Sequence, residues 1–136
     1  MSDLEFKGFP ISEGKVEGEV LISEDPINFY IVKPETGILF EKGHDLEGKS
    51  IAGKILVFPS DKGSSVVQMD SLYQMNKNGN MPKGLIVEHA STVLVSAAIV
   101  MEIPLVTDLD KNFYKKIETG KKVCIDTEKE IVKIIE

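Results

Sequence analysis

Hydrophobic and polar residues alternate over much of the first 22 residues, which is the pattern of half-buried β-strands. The segments LEFKGF (4–9) and KVEGEVLI (15–22) both alternate, and Ser12-Glu13-Gly14 between them has the composition of a turn. The stretch that follows, residues 23–54, is rich in Gly- and Pro-containing turn signals. We therefore predict strands at the start of the chain, and then short strands and surface loops.

From residue 54 onward, continuous apolar runs alternate with segments of helical periodicity. Continuous apolar runs are typical of strands that are covered on both faces. The runs are KILVFP, KGLIVEHA and IPLVTDL, the helical segments are 64–79, 91–102 and 110–120, and KKVCIDT and EIVKII complete the chain. We expect the first helix to begin at Ser64 or Ser65 and to end at Asn78-Gly79, and the second to begin near Ser91 or Thr92. The third helix is expected to end at Gly120, and the last two segments to form a hairpin around 127–129.

This order of elements predicts an α/β fold. The β-α-β-α-β part of the chain indicates parallel strands with right-handed crossovers, and the remaining strands supply an antiparallel layer. A length of 136 residues suits one hydrophobic core better than two. We predict a single three-layer β/β/α domain over residues 1–136.

Charge and composition narrow the classes of function. The net charge is −6, the isoelectric point is near 5.0 and the chain contains no arginine. Nucleic-acid binding is disfavoured because it requires clustered positive charge, and guanidinium clamps on phosphate or carboxylate are absent. No apolar run approaches the roughly 20 residues that span a membrane, and the acidic N-terminus does not resemble a signal peptide. The expected location is the cytoplasm, with no membrane partner.

Few residues could hold a metal ion or act as a thiol nucleophile. The one cysteine, Cys124, has an alternating context that favours a buried structural thiol. His44 is expected in a surface loop, with a substrate contact as the alternative. His89 lies far from it in sequence, and no spacing of metal-binding residue types is present. No metal site is predicted in this chain.

The loop SDKGSS (60–65) is the strongest candidate for a site. It follows a buried strand and precedes a helix, where ligands of α/β sheets usually bind. Gly63 permits a tight turn, and the helix N-terminus favours an anion near Ser64. The alternative is that the serine only caps the helix. The loop has neither P-loop nor nucleophile-elbow spacing, and its own sequence provides no base to activate a serine.

Several longer motifs resemble a known family. The segments GKVEGEVLISEDPINFY, KPETGILFEKGHDLEGKSIAGKILVFPSDKGSSV and AAIVMEIPLV are similar to the small, swivelling-domain subunit of the aconitase X group, in particular its members from the archaeal-type mevalonate pathway. The resemblance implies a fold similar to the mobile fourth domain of aconitase. It also implies a heterodimer with a large subunit, whose cysteines carry a [4Fe-4S] cluster that this chain lacks.

The resemblance further implies a reaction and a set of site residues. The expected activity is that of a hydro-lyase that removes water from (R)-5-phosphomevalonate to give trans-anhydromevalonate 5-phosphate in isoprenoid biosynthesis. Ser64 corresponds to the proton acceptor, while the partner's cluster acts as a Lewis acid on the leaving hydroxyl. Gly63, Ser65 and Lys62 are expected to bind the small phosphorylated or carboxylate substrate, with either serine as a candidate for the reactive hydroxyl.

The chain departs from the family around this loop. Asp61 stands where a glycine is usual, Lys33 replaces an aspartate, and Val67-Gln68-Met69 replaces Gly-Ser-Tyr. The Gly-Gly pair that usually precedes the Pro-Glu-Thr-Gly stretch is also missing. A subunit that binds the large chain without accepting a proton is therefore an alternative hypothesis.

A second alternative comes from the segment SAAIVMEIPLV. It resembles the phosphohistidine swivelling domain of phosphoenolpyruvate-using enzymes, although Ser96 stands where that motif has its histidine. His89 would then be the phosphoryl carrier. The structural alternative is a histidine held by hydrogen bonds at a strand end.

Overall fold

The computed structural model describes residues 4–135, which form one curled eight-stranded sheet with helices packed on it. The strands are β1 (Leu4–Lys7), β2 (Phe9–Ser12), β3 (Lys15–Ile22), β4 (Ile55–Ser60), β5 (Gly84–His89), β6 (Leu105–Thr107), β7 (Lys122–Asp126) and β8 (Ile131–Ile135). The helices are α1 (Ser65–Lys77), α2 (Thr92–Val100) and α3 (Lys111–Lys116), and a 3-10 turn covers Phe29–Ile31. None of these helices is long and apolar enough to cross a membrane.

The strand order is β1-β8-β7-β3-β4-β5-β6-β2. The pairs among β3, β4, β5 and β6 are parallel, and the four remaining pairs are antiparallel. The predicted parallel units and closing hairpin are confirmed. Together with the helices they form the predicted β/β/α layers: antiparallel strands, parallel strands, helices.

The first strand of the prediction is divided in two. β1 and β2 are separated only by Gly8, yet they lie at opposite ends of the strand order, so the sheet curls until its ends meet there. A Cβ at position 8 would lie 2.6 Å from Val106 Cγ1, which is closer than packed atoms allow. Glycine therefore lets the chain pass from one layer to the other at this point.

Alternation along the parallel strands serves two cores. Ile55 and Val57 face the inside of the curled sheet, where Phe113 of α3 also packs, while Leu56 and Phe58 face α1 and α2. Each central strand is covered on both faces, which is why its sequence is a continuous apolar run.

Residues 23–54 differ from the prediction of surface loops and short strands. Within the described chain they form isolated bridges and the 3-10 turn rather than extended strands. They also bury large side chains in the helix-side core: Ile27, Phe29, Val32, Leu39, Leu46 and Ile51. The segment is therefore a packed part of the domain. α3 is also shorter than predicted, since it ends at Lys116 and not at Gly120.

Candidate active site

The candidate site lies where the parallel strands end, on the side from which the helices begin. Ser60 at the end of β4 pairs with His89 at the end of β5. Residues 61–64, which we call the β4–α1 corner, connect β4 to α1. Two backbone bonds hold this corner to residue 27, from the Ile27 N–H to the Ser60 carbonyl and from the Lys62 N–H to the Ile27 carbonyl, both 2.9 Å.

Gly63 gives the corner its sharp turn. Its φ is +109°, which is in the region that disfavours residues with a Cβ. A Cβ at this position would also lie 2.8 Å from Asn28 Oδ1, the oxygen that accepts a hydrogen bond from the Tyr30 N–H. Gly63 is therefore required by both conformation and space.

Ser64 is the N-cap residue of α1 and is exposed. Its backbone is extended, as expected for an N-cap, and its carbonyl accepts the first helical bond from the Gln68 N–H at 2.9 Å. In the part of the chain that is described, its hydroxyl forms no capping bond. Ser65 is the first helical residue and is also exposed. The simple capping role that was considered for Ser64 is thus not fulfilled by its side chain.

The electrostatic setting of Ser64 favours negative charge. The first turn of α1 contains no acidic residue, so its N–H groups and the positive end of the helix dipole stay uncompensated by a carboxylate of that turn. Lys62, also predicted to attract substrate, instead places its Nζ 2.8 Å from Glu41 Oε2. Its charge is therefore partly balanced within the chain.

A group of hydrogen-bonded polar residues includes Asp61 of the corner and extends to α1 and α2. The sequence did not predict this group as part of a site. Asp61 accepts hydrogen bonds from the Ser91 N–H at 3.0 Å, the Ser91 hydroxyl at 2.5 Å and Gln68 Nε2 at 2.9 Å. Gln68 is buried, and its Oε1 accepts from the Phe29 N–H at 3.3 Å. We call Asp61, Gln68, Ser91 and the Phe29 N–H the Asp61 network. The one signal in the sequence was that Asp61 and Gln68 both depart from the family pattern.

The histidines do not join Ser64. His44 is buried, contrary to the expected surface loop, with Nε2 2.9 Å from the Pro26 carbonyl and Nδ1 accepting from the Leu46 N–H at 3.0 Å. Both ring nitrogens are engaged by backbone, which excludes a substrate contact in this conformation. His89 is exposed at the sheet edge, and among residues 4–135 its ring has no hydrogen-bond partner, unlike the structural alternative predicted for it.

Asp25, His44 and Asp45 form the one cluster of potential metal ligands found among the described residues. Its carboxylates already accept hydrogen bonds from the loop: Asp45 from the Ser23 hydroxyl and the Glu24 N–H at 2.8 and 2.7 Å, and Asp25 from the Asp45 N–H at 3.0 Å. These hydrogen bonds give the cluster a structural role, because they hold residues 23–25 against Asp45.

Two groups with shifted pKa values, Cys124 and Tyr114, lie outside the candidate site. Cys124 is only half-buried, on the outer face of β7, in contrast to the buried thiol predicted for it. Burial is the main cause that raises its pKa, which disfavours the reactive thiolate. Burial, followed by the nearby Glu88 and Asp108 carboxylates, raises the pKa of Tyr114 to about 12. Neither group lies on the β4–α1 corner.

Comparison with known proteins agrees with this fold. The aconitase X swivel domain matches residues 5–134. The chain is 43% identical to the phosphomevalonate dehydratase small subunit of Thermococcus kodakarensis, covering 98% of both chains, and 46% identical to that of Methanosarcina mazei, covering 93% of this chain and 88% of the relative. The crystal structure of Thermococcus kodakaraensis aconitase X in its holo-form superposes with a TM-score of 0.88 at 43% identity, over 98% of this chain and 99% of that one. The chain therefore belongs to the aconitase X swivel-domain family.

Proposed function

We propose that this chain is the small subunit of a two-chain hydro-lyase that dehydrates (R)-5-phosphomevalonate to trans-anhydromevalonate 5-phosphate, with Ser64 as the proton acceptor. The names of its relatives support the reaction. The single observation that carries the role of Ser64 is its hydroxyl, which is exposed at the N-terminus of α1 and, within the described chain, bound to no capping N–H.

The position of Ser64 suits proton transfer. Dehydration breaks a C–H bond next to the carbon that bears the leaving hydroxyl, and the C–H electrons form the new double bond. The C–O bond breaks with its electron pair, and the hydroxide would leave to a Lewis acid supplied by the partner chain. Ser64 Oγ takes the proton. Negative charge on this oxygen before the transfer is favoured by the positive end of the α1 dipole, because the first turn of α1 contains no carboxylate.

The rest of the site must come from another chain. Among residues 4–135 no base forms a hydrogen bond with Ser64 Oγ. The one thiol, Cys124, lies on the outer face of β7, so this chain does not provide the set of thiolates that an iron–sulfur cluster needs. We place the [4Fe-4S] cluster on the large subunit, and the activation of Ser64 is assigned to that partner.

The surface around Ser64 supports such a partner. Four exposed apolar side chains surround the corner, a group we call the apolar rim: Tyr30, Phe40, Val66 and Val67. The Phe40 N–H bonds the Ile31 carbonyl at 3.0 Å, which places Phe40 beside the 3-10 turn that carries Tyr30, and this turn packs on α1. A group of neighbouring exposed apolar side chains is typical of a surface that binds another protein. We assign the apolar rim to the large subunit, with substrate enclosed between the two chains.

Reconstitution tests the proposal. This chain is mixed anaerobically with a cluster-loaded large subunit of an aconitase X enzyme, and the loss of phosphomevalonate and formation of the anhydro product are followed by mass spectrometry. We expect product only when both chains are present. Stable association without product would favour the non-catalytic subunit, and failure to associate would reject the assignment as a subunit.

His89 permits a test of the phosphohistidine alternative. The ring is exposed, which a phosphoryl carrier requires. We expect no acid-labile label on His89 after incubation with labelled phosphoenolpyruvate and a phosphoenolpyruvate-using kinase domain. Stoichiometric labelling would replace the dehydratase proposal with a carrier function.

A further inference from the structure

The Asp61 network lies directly beneath the first turn of α1. Gln68 is only 2% exposed, although its side chain is a polar amide, and both ends of that amide are hydrogen-bonded. Its Nε2 donates to Asp61 Oδ2, and its Oε1 accepts from the Phe29 N–H. A buried amide bonded at both ends joins two segments in one orientation, because reversing it would place its NH2 against the Phe29 N–H and its oxygen against the Asp61 carboxylate.

The network connects three parts of the chain to Ser64. Gln68 is one helical turn after Ser64, and its own N–H bonds the Ser64 carbonyl at 2.9 Å. Asp61 lies three residues before Ser64 and is bonded to Ser91 at the start of α2. Ser64 is thus flanked on both sides by residues that are attached to each other, so its backbone has little freedom to move.

The network also decides where the negative charge lies. Both Asp61 oxygens accept from Ser91, at the N-terminus of α2, while one of them also accepts from Gln68. The carboxylate is therefore committed to the start of α2, and only the neutral amide of Gln68 reaches α1. The N-terminus of α1 stays available for charge on Ser64 Oγ.

We propose that Asp61 and Gln68 are positioning residues for Ser64: they fix the first turn of α1 so that the Ser64 hydroxyl is held toward the partner and is not recruited as a cap. This inference rests on the proposed function. It also gives the replacement of the usual glycine by Asp61 a role, because the carboxylate provides attachments that a glycine cannot.

The polarity of the Asp61–Gln68 bond provides a direct test. Asp61→Asn places an amide donor against the Gln68 Nε2 donor, and Gln68→Glu places two carboxylates together. The double variant reverses the bond: the new amide at position 61 donates to the new carboxylate at position 68, whose other oxygen still accepts from the Phe29 N–H. The amide oxygen at position 61 also still accepts from the Ser91 N–H.

Two measurements are made on each variant. Hydrogen exchange in this chain alone reports whether the corner is fixed, at the Gln68 amide, which bonds the Ser64 carbonyl, and at the Phe29 amide, which bonds Gln68 Oε1. The kcat of the reconstituted complex reports the placement of Ser64. We expect each single variant to exchange faster and to lose ~10- to 100-fold in kcat with KM changed less than about threefold, since small misplacements of a reacting group have effects of this size. The double variant is expected to recover the slow exchange and only part of the lost kcat, because its carboxylate lies on α1 and no longer at the start of α2.

Asp126→Asn is the matched control. Asp126 is also a buried carboxylate that accepts a backbone N–H, from Lys129 at 3.3 Å, but it lies beside Lys15 at the start of β3, on the opposite edge of the sheet. It is expected to lower stability without lowering kcat. Unchanged exchange and kcat in the single variants, or no recovery in the double variant, would overturn the positioning role. A wild-type complex without turnover would reject the proposed function, and the exchange arms would still decide whether the network fixes the corner.

Discussion

Two corners of this domain have the same local plan and opposite outcomes. In each, a buried parallel strand ends, a serine takes the N-cap position and a helix begins: Ser64 before α1 and Ser91 before α2. Ser91 Oγ accepts from the Leu94 N–H at 3.2 Å and donates to Asp61. Ser64 does neither within the described chain, and it faces solvent. The same residue at the same position is structural in one corner and available for chemistry in the other.

The difference lies in the neighbour that reaches each corner. Asp61 extends from the first corner to the second, so that its charge and its hydrogen bonds satisfy Ser91 and the start of α2. The first corner is stabilised by Gln68, which bonds Asp61 and the Phe29 N–H. Within the described chain, the Ser64 side chain forms no capping hydrogen bond. Both corners begin their helix with a serine, a second hydroxyl residue and a valine (64–66 and 91–93), and tertiary contacts make the two serines different.

Removal of the Ser64 hydroxyl should therefore lower turnover, and removal of the Ser91 hydroxyl should lower stability. The largest effect is expected for Ser64→Ala. We expect kcat of the reconstituted complex to fall at least ~100-fold, as for loss of a general base. The free energy of unfolding should change by less than about 0.5 kcal/mol, because no capping bond is lost. Turnover and chemical denaturation measure the two effects. Wild-type turnover in this variant would remove Ser64 from the mechanism.

Gly63→Ala should damage the first corner through its backbone. The φ of +109° and the contact with Asn28 are both unfavourable to a Cβ, and we expect a loss of about 1–3 kcal/mol in stability by chemical denaturation. Gly120→Ala is the control, since Gly120 has a similar φ of +98° but has no atom within 4 Å of an added Cβ. Equal losses at the two positions would show that the Asn28 contact is unimportant.

Val66→Asp tests whether the first corner faces the partner. We expect Kd for the large subunit to rise at least ~10-fold, because a charge would be buried in the apolar rim. Val100→Asp is the matched control: Val100 is 77% exposed and Val66 79%, but Val100 ends α2 away from the corner. Calorimetric titration measures both, and similar values for the two variants would contradict the assignment of the apolar rim.

Ser91→Ala should show the structural character of the second corner. Loss of the cap and of the bond to Asp61 is expected to lower the free energy of unfolding by about 1 kcal/mol. Because Ser91 does not reach substrate, kcat should fall less than about tenfold. A variant as stable as the wild type would show that the observed cap contributes little.

The smallest effect is expected at α3. Asp110 caps this helix by accepting from the Asn112 N–H at 2.9 Å, and the prediction concerns Tyr114 within it. Tyr114 on α3 has its pKa raised from 10.0 to about 12 by burial and by nearby carboxylates, so folding favours its neutral form. This contribution is complete below pH 10 and is lost as pH rises toward 12. The wild type should lose slightly more stability over this range than Tyr114→Phe, by less than about 1 kcal/mol because the group is partly exposed to solvent. Identical pH profiles in denaturant titrations would contradict the raised pKa.

The regular elements were largely predictable because their signals are local. Periodicity located the three parallel strands, the helices between them and the final hairpin, and the resemblance located the corner with Ser64. Residues 23–54 were misread as surface loops because turn signals describe the backbone alone, and the burial of residues such as Phe29 and Leu39 depends on distant partners. The buried state of His44 was missed for the same reason.

Sequence alone determined the layer order, since it follows from periodicity, and the resemblance carried by its motifs indicated the candidate loop and the expected second chain. It could not separate a capping serine from an available one. That distinction depends on which distant groups reach each helix N-terminus, and the Asp61 carboxylate reaches Ser91, 30 residues away in the chain. Hydrogen bonds between groups so far apart arise only when the sheet brings its strand ends together, so the state of the Ser64 hydroxyl is decided by the tertiary structure.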